Sequence, residues 1–147
     1  MKEINIRQKS KALESLRAIK EKEFVTADIK LTNVNLRTIN DNLGGINIFS
    51  KNDLYVLNGT LHAIMSNFDD DSVKQHHPHG LTPEALLEGL CNLQYSKEVC
   101  RSYDGRYEII STTLFDKRVK AVIEKNAPLL EKRDAKINKL VTLYPTD

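Results

Sequence analysis

Apolar positions recur at helical spacing in three stretches of this chain and at alternate positions in its last third. Between residues 4 and 23, INIRQKSKALESLRAIKEKE, the apolar Ile6, Leu13, Leu16 and Ile19 stand among charges as one face of an amphipathic helix. Its closing run of alternating Lys and Glu leaves a docked helix and a solvated connector both open. Residues 28–43 have no clean period; Asn33, Asn35, Asn40, Asn42 and Gly44-Gly45 read as turns and short extended pieces. The run INIF at 46–49 reads as a short strand. Ser50 or Asn52 then caps a helix reaching about Phe68, striped by Leu54, Leu57, Leu61, Ile64 and Met65 and ended by Asp69-Asp70-Asp71. A further helix opens at Thr82-Pro83-Glu84 and reaches about Leu93, with threonine as cap, proline at the first helical position and an early acid against the dipole.

The C-terminal third reads as sheet. KEVCRSY and RYEIISTTLF flank Asp104-Gly105, the dipeptide preferred by a two-residue primed turn, so residues 97–115 predict a hairpin. VKAVIEK at 119–125 and INKLVTLY at 137–144 predict two more strands, joined by a surface loop through Asn126-Ala127-Pro128 and the charged stretch 131–136. The fold expected from this order is α+β, with N-terminal helices packed on a four-stranded, mostly antiparallel sheet. A helical extension over 1–45 and a main unit over 46–147 would together make one compact domain, as a length of 147 residues suggests.

Composition narrows the class. The chain is 40% hydrophobic and 29% charged, contains no run of eighteen apolar residues and starts with charges, so neither a membrane span nor a secretory peptide is expected, and a cytoplasmic setting is. Cys91 and Cys100 suit neither a metal knuckle nor a disulfide framework and read as buried thiols. Net charge is only +2, but it is uneven: residues 51–100 carry three Lys/Arg against seven Asp/Glu, whereas 101–147 carry ten against seven. A basic face built from the two ends of the chain is therefore a candidate nucleic-acid surface.

All four histidines fall within residues 62–79. His76, His77 and His79 follow three aspartates in a polar loop, a composition that suits a divalent ion but lacks the spacing of a helical metal site; a solvated loop is the plainer reading. His62, at the edge of a helix stripe, is either a titratable group poised near neutrality or a core histidine. Arg106 either meets a phosphate bidentately or pairs with Asp104 or Glu108. Thr142 and Tyr144 alternate along the last strand and share a face, where their hydroxyls can approach a ribose or phosphate. The chain has no glycine-rich phosphate loop, nucleophile elbow or HExxH motif. Chemistry by His, Arg, Lys and hydroxyl groups without metal or other cofactor is what remains, and cleavage of RNA through its 2′-hydroxyl fits it.

An extended run, a helix bearing a histidine, a His-rich loop, a short helix, a hairpin opening with arginine and a terminal strand reading VTLYP together resemble the phage-associated and polymorphic-toxin branch of the barnase, EndoU, colicin and RelE nuclease fold, over roughly residues 46–145. The resemblance implies a metal-independent, toxin-type endoribonuclease of phage or mobile-element origin, with the open face of the sheet as its RNA site. It implies His62 as general base or phosphate ligand, Arg106 as stabiliser of the transition-state charge, and Thr142 and Tyr144 as hydroxyls at the site. By their place in the loop, His79 would be the acid and Lys74 a substrate-binding cation. An antitoxin or immunity protein is the implied partner. The alternative is a non-catalytic protein-interaction module whose N-terminal helix and sheet edge bind a partner protein, a homodimer through the helix being one version. A metal-dependent hydrolase using the loop histidines ranks last.

Overall fold

The computed structural model describes residues 1–21, 26–66, 80–102, 104–112 and 118–146. The expected N-terminal helix starts later than its apolar spacing suggests. Ile4 and Ile6 are both buried, yet the first lies on β1 (Lys2–Asn5), and the helix α1 runs from Lys9 to Glu21. Asn5 makes the break: its side-chain oxygen accepts from Arg7 N–H at 3.0 Å and from the Asn33 amide at 2.8 Å, bending the chain out of the strand. Helix α1 is docked, with Ala12, Leu16 and Ile19 buried against the core. Burial of side chains of this size stabilises by about 1.5–3 kcal/mol for each leucine or isoleucine.

Beyond α1 the chain forms β2 (Asp28–Thr32), parallel to β1, and then α2 (Arg37–Asn42). Asn33 and Asn35 turn the chain between them at φ 63° and 60°, a conformation asparagine tolerates better than most residues. The INIF run is not a strand. Phe49 is fully buried while Ile46 is 60% exposed, and the buried Asn40 amide does the work of a neighbouring strand. It accepts from the Ile48 and Phe49 N–H groups at 2.9 and 3.0 Å and donates to Phe49 O at 2.7 Å.

The helix expected over 50–68 is likewise corrected. Residues Leu54–Leu57 form β3, and among the described residues of this stretch Asn58–Met65 form the helix, α3. Leu54 and Val56 are buried and Tyr55 and Leu57 half-buried, the period of two that marks a strand with a core on one face. Helix α4 (Pro83–Asn92) is as expected, down to its cap: Thr82 accepts from Ala85 N–H at 3.1 Å. A single 3₁₀ turn, Leu93–Tyr95, follows.

The hairpin is present as β4 (Val99–Arg101) and β5 (Tyr107–Thr112). Its turn is wider than the two-residue form. Ser102 N–H donates to Arg106 O at 2.8 Å and Gly105 N–H to Ser102 O at 3.0 Å, with Gly105 at φ 85°. Strands β6 (Arg118–Ala127) and β7 (Ile137–Thr146) complete the antiparallel run.

The α+β class holds, but the four-stranded sheet does not. The strands form one seven-stranded mixed sheet in the order β1-β2-β3-β7-β6-β5-β4, in which β3 runs parallel to β7 and antiparallel to β2. Residues 1–45, expected as a helical extension, thus contribute two of its strands. Helices α1, α3 and α4 cover one face. There Ser111 Oγ donates to Gly89 O of α4 at 2.9 Å, and Val119, Ala121, Ile123, Leu140 and Leu143 join Leu61, Leu86 and Leu90 in a single core.

Candidate nucleic-acid interface

Strand alternation decides which side chains the other face carries. Where Val119, Ala121, Ile123 and Leu143 point into the helix layer, their neighbours Arg118, Lys120, Val122, Thr142 and Tyr144 point away from it. The register then joins them across strands. Tyr144 lies opposite Lys120, Thr142 opposite Val122, and Val122 opposite Glu108. Directly opposed side chains stand about 4.5–5.5 Å apart at Cβ, so these groups form one cluster on β5, β6 and β7.

Within it Lys120 Nζ is 3.6 Å from Glu108 Oε2, and Arg118 reaches Glu98, just before β4, at 3.7 Å. Lys120 and Glu108 are half-buried, which gives their pairing more weight than that of two fully solvated side chains. Tyr144 and Thr142 are also half-buried, with the tyrosine alongside the lysine. A carboxylate, two cations and two hydroxyls on one sheet face can accept a proton, neutralise phosphate charge and orient a ribose.

A second row crosses five strands nearer the β6–β7 connection: Glu3, Lys30, Tyr55, Lys139 and Glu124 are successive cross-strand partners. Lys30 is ion-paired to Glu3 at 3.7 Å and to Asp53 at 3.6 Å, and its ammonium lies 6.0 Å from the centre of the Tyr55 ring. Electrostatic attraction from Tyr55 and then from Asp53 holds the Lys30 ammonium above the usual lysine range.

The residues expected at one site are divided. Thr142 and Tyr144 do share the open face. His62 does not join them: its Nδ1 lies 3.0 Å from Ile19 O of α1, in the seam between α1 and α3 on the covered side of the sheet. Arg106 sits in the hairpin turn, 3.8 Å from Asp104. That aspartate is held below the usual carboxylate range by the Ser102 hydroxyl and the Arg106 N–H. His79 and Lys74, with His76 and His77, lie outside the described residues. The described residues on either side of them meet: Leu81 N–H donates to Ile64 O at 2.9 Å and a β-carbon on Gly80 would run into Ser66 O.

Glu108, Lys120 and Arg118 are the members that sequence reasoning missed. Alternation in RVKAVIEK separates Lys120 from Val119 and Ala121, but nothing local says that Glu108 and Tyr144 flank it. Of the two thiols expected to be buried, Cys91 is buried, its pKa pushed up by burial, whereas Cys100 is exposed on β4. Among the described residues no three His, Cys, Asp or Glu side chains converge as metal ligands, and no helix is long and apolar enough to cross a membrane. Comparison with protein-family models, curated proteins and solved structures found no match.

Proposed function

We propose that this chain is a metal-independent, toxin-type endoribonuclease of phage or mobile-element origin, acting on cytoplasmic RNA at the open face of β5, β6 and β7. The observation that carries the reading is the Glu108–Lys120 pair at 3.6 Å, with Tyr144 directly across from Lys120 and Thr142 across from Val122. The base role moves to Glu108, because His62 faces α1 across the sheet.

In this reading Glu108 takes the proton of a ribose 2′-hydroxyl, and the oxygen attacks the adjacent phosphorus. The bond to the 5′-oxygen breaks, and that oxygen takes a proton from the Tyr144 hydroxyl. Lys120 and Arg118 stabilise the charge that builds on the non-bridging oxygens, and the products are a 2′,3′-cyclic phosphate and a 5′-hydroxyl. The groups act through proton transfer and charge alone, so a chelator leaves the reaction untouched.

The test is incubation of the purified chain with total RNA in excess EDTA. Cleavage to cyclic-phosphate ends is expected from the native chain and from His62→Ala, and a loss of roughly 100-fold or more from Glu108→Gln, the scale of general-base catalysis. Intact RNA at high enzyme concentration, or full activity in Glu108→Gln, would overturn it.

The non-catalytic alternative rests on two surfaces, the N-terminal helix and the sheet edge; the apolar stripe of α1 is turned into the core, with Ala12, Leu16 and Ile19 buried, and β1 and β4 form the edges of the sheet.

A further inference from the structure

Cations on the open face and in the neighbouring β6–β7 connection fall into two groups. Lys30, Lys120 and Arg118 are each ion-paired, whereas Lys125, Lys132, Arg133, Lys136 and Lys139, all in or beside the β6–β7 connection, make no ion pair among the described residues. Three carboxylates, Glu124, Glu131 and Asp134, share that stretch with the five cations. An unpaired basic surface beside a neutralised one marks where an external anion is accommodated.

The connection is also held in place rather than trailing from the sheet. Leu130 N–H donates to Asp28 Oδ2 at 2.7 Å, which ties the loop across the open side of β2. Lys51 Nζ donates to Lys136 O at 2.7 Å and the Asn138 amide to Lys51 O at 3.3 Å, fixing its return into β7. Internal bonds from Leu129 N–H and Ala135 N–H to Lys132 O close the turn. Lys132, Arg133 and Lys136 are thus presented from a fixed rim. At its foot stands Tyr55, half-buried and opposite Lys139, with the Lys30 ammonium over one side of its ring.

We infer that this rim is a second phosphate-binding subsite, and that the substrate is a single-stranded RNA segment lying along β7 from Tyr144 to Lys139, with one base stacked on Tyr55. This rests on the ribonuclease reading above. The path is roughly 15 Å, five residues of strand shortened by the bulge near Val122, so the rim engages nucleotides away from the cleaved bond. It contributes binding and register and leaves the reacting phosphate to Lys120 and Arg118.

The test uses the full chain and a triple variant, Lys132→Ala, Arg133→Ala and Lys136→Ala. Binding of a short unstructured oligoribonucleotide, made uncleavable by 2′-O-methylation, is followed against salt, and cleavage of a dinucleoside monophosphate is followed in parallel. Losing three phosphate contacts flattens the slope of log affinity against log salt by about 2. Cleavage of the dinucleotide stays at the native rate, because that substrate is too short to reach the rim. Tyr55→Ala weakens the oligomer at least about fivefold without changing the slope. An unchanged slope in the triple variant, or an equal loss on the dinucleotide, overturns the subsite while leaving the nuclease standing. A chain that leaves the dinucleotide intact but keeps the slope difference overturns the nuclease and leaves the RNA-binding rim.

Discussion

At the scale of single residues, what the sequence conveys is which type of environment a side chain prefers, and what it withholds is the partner. Thr142 and Tyr144 were legible as a pair because alternation along one strand is local. Lys120 and Glu108 were not, since their approach depends on the register between β5, β6 and β7. His62 is half-buried at a helix edge as its spacing indicates, but its neighbour is a main-chain carbonyl of α1, a group that carries no signature in the residue order. Asn40 makes the same point with a measurable consequence. Its buried amide is the partner of three main-chain groups of Ile48 and Phe49, in a stretch where Phe49 has no strand beside it. Asn40→Ala strands those groups, and a buried polar group without a partner costs about 1–3 kcal/mol. A loss of roughly 2–4 kcal/mol in urea unfolding is expected, and a change under about 0.5 kcal/mol would mean that water replaces the amide at no cost.

Elements were recovered where a terminal signal and a period agree. Thr82-Pro83-Glu84 specifies the start of α4 through its cap, its fixed proline and its charge, and no tertiary contact is needed to read it. The stretch around β3 failed because Leu54, Leu57, Leu61 and Ile64 satisfy a helical spacing while LYVL also satisfies a period of two. Burial between β2 and β7 settles the conflict in favour of the strand. An ion pair from Arg17 of α1 to Glu84 in the first turn of α4 clasps the helix packing. The hydrogen bond from Arg17, followed by a main-chain bond, holds the Glu84 carboxyl below its ordinary value of 4.5. A carboxylate with a depressed native pKa stabilises the fold above that ordinary value, and the contribution fades as pH falls through the native one. Both side chains are about half exposed, so the pair is worth only about 0.2–1 kcal/mol. Arg17→Met is therefore expected to lower stability by that amount at neutral pH and to match the native chain in strong acid. A difference that persists in acid would assign the loss to the packing of the arginine stem.

The whole sheet is where sequence reading fell furthest short, and the cause is length and range. Strands β1, β2 and β3 have four, five and four residues, too few for alternation to stand out, and β1–β2 and β3–β7 are parallel pairings between segments far apart in sequence. The antiparallel strands β4 to β7 follow one another through short connections and were accordingly legible. This topology makes the apparent division at residue 45 physically costly. Ile4, Ile6, Leu16, Ile19, Ile29 and Leu31, all from the first 45 residues, are buried in the same core as Leu61, Leu86, Ile123 and Leu140. Removing residues 1–45 would strip α1 from α3 and α4 and leave β3 as a bare edge with Leu54 and Val56 uncovered. Six lost aliphatic side chains at about 1.5–3 kcal/mol each approach or exceed the 5–15 kcal/mol by which ordinary domains are stable. Residues 46–147 expressed alone are thus expected to show no cooperative thermal transition by calorimetry, and to regain one when the segment 1–45 is supplied in trans. A sharp transition in the isolated fragment would show instead that β3 to β7 hold together without the N-terminal layer.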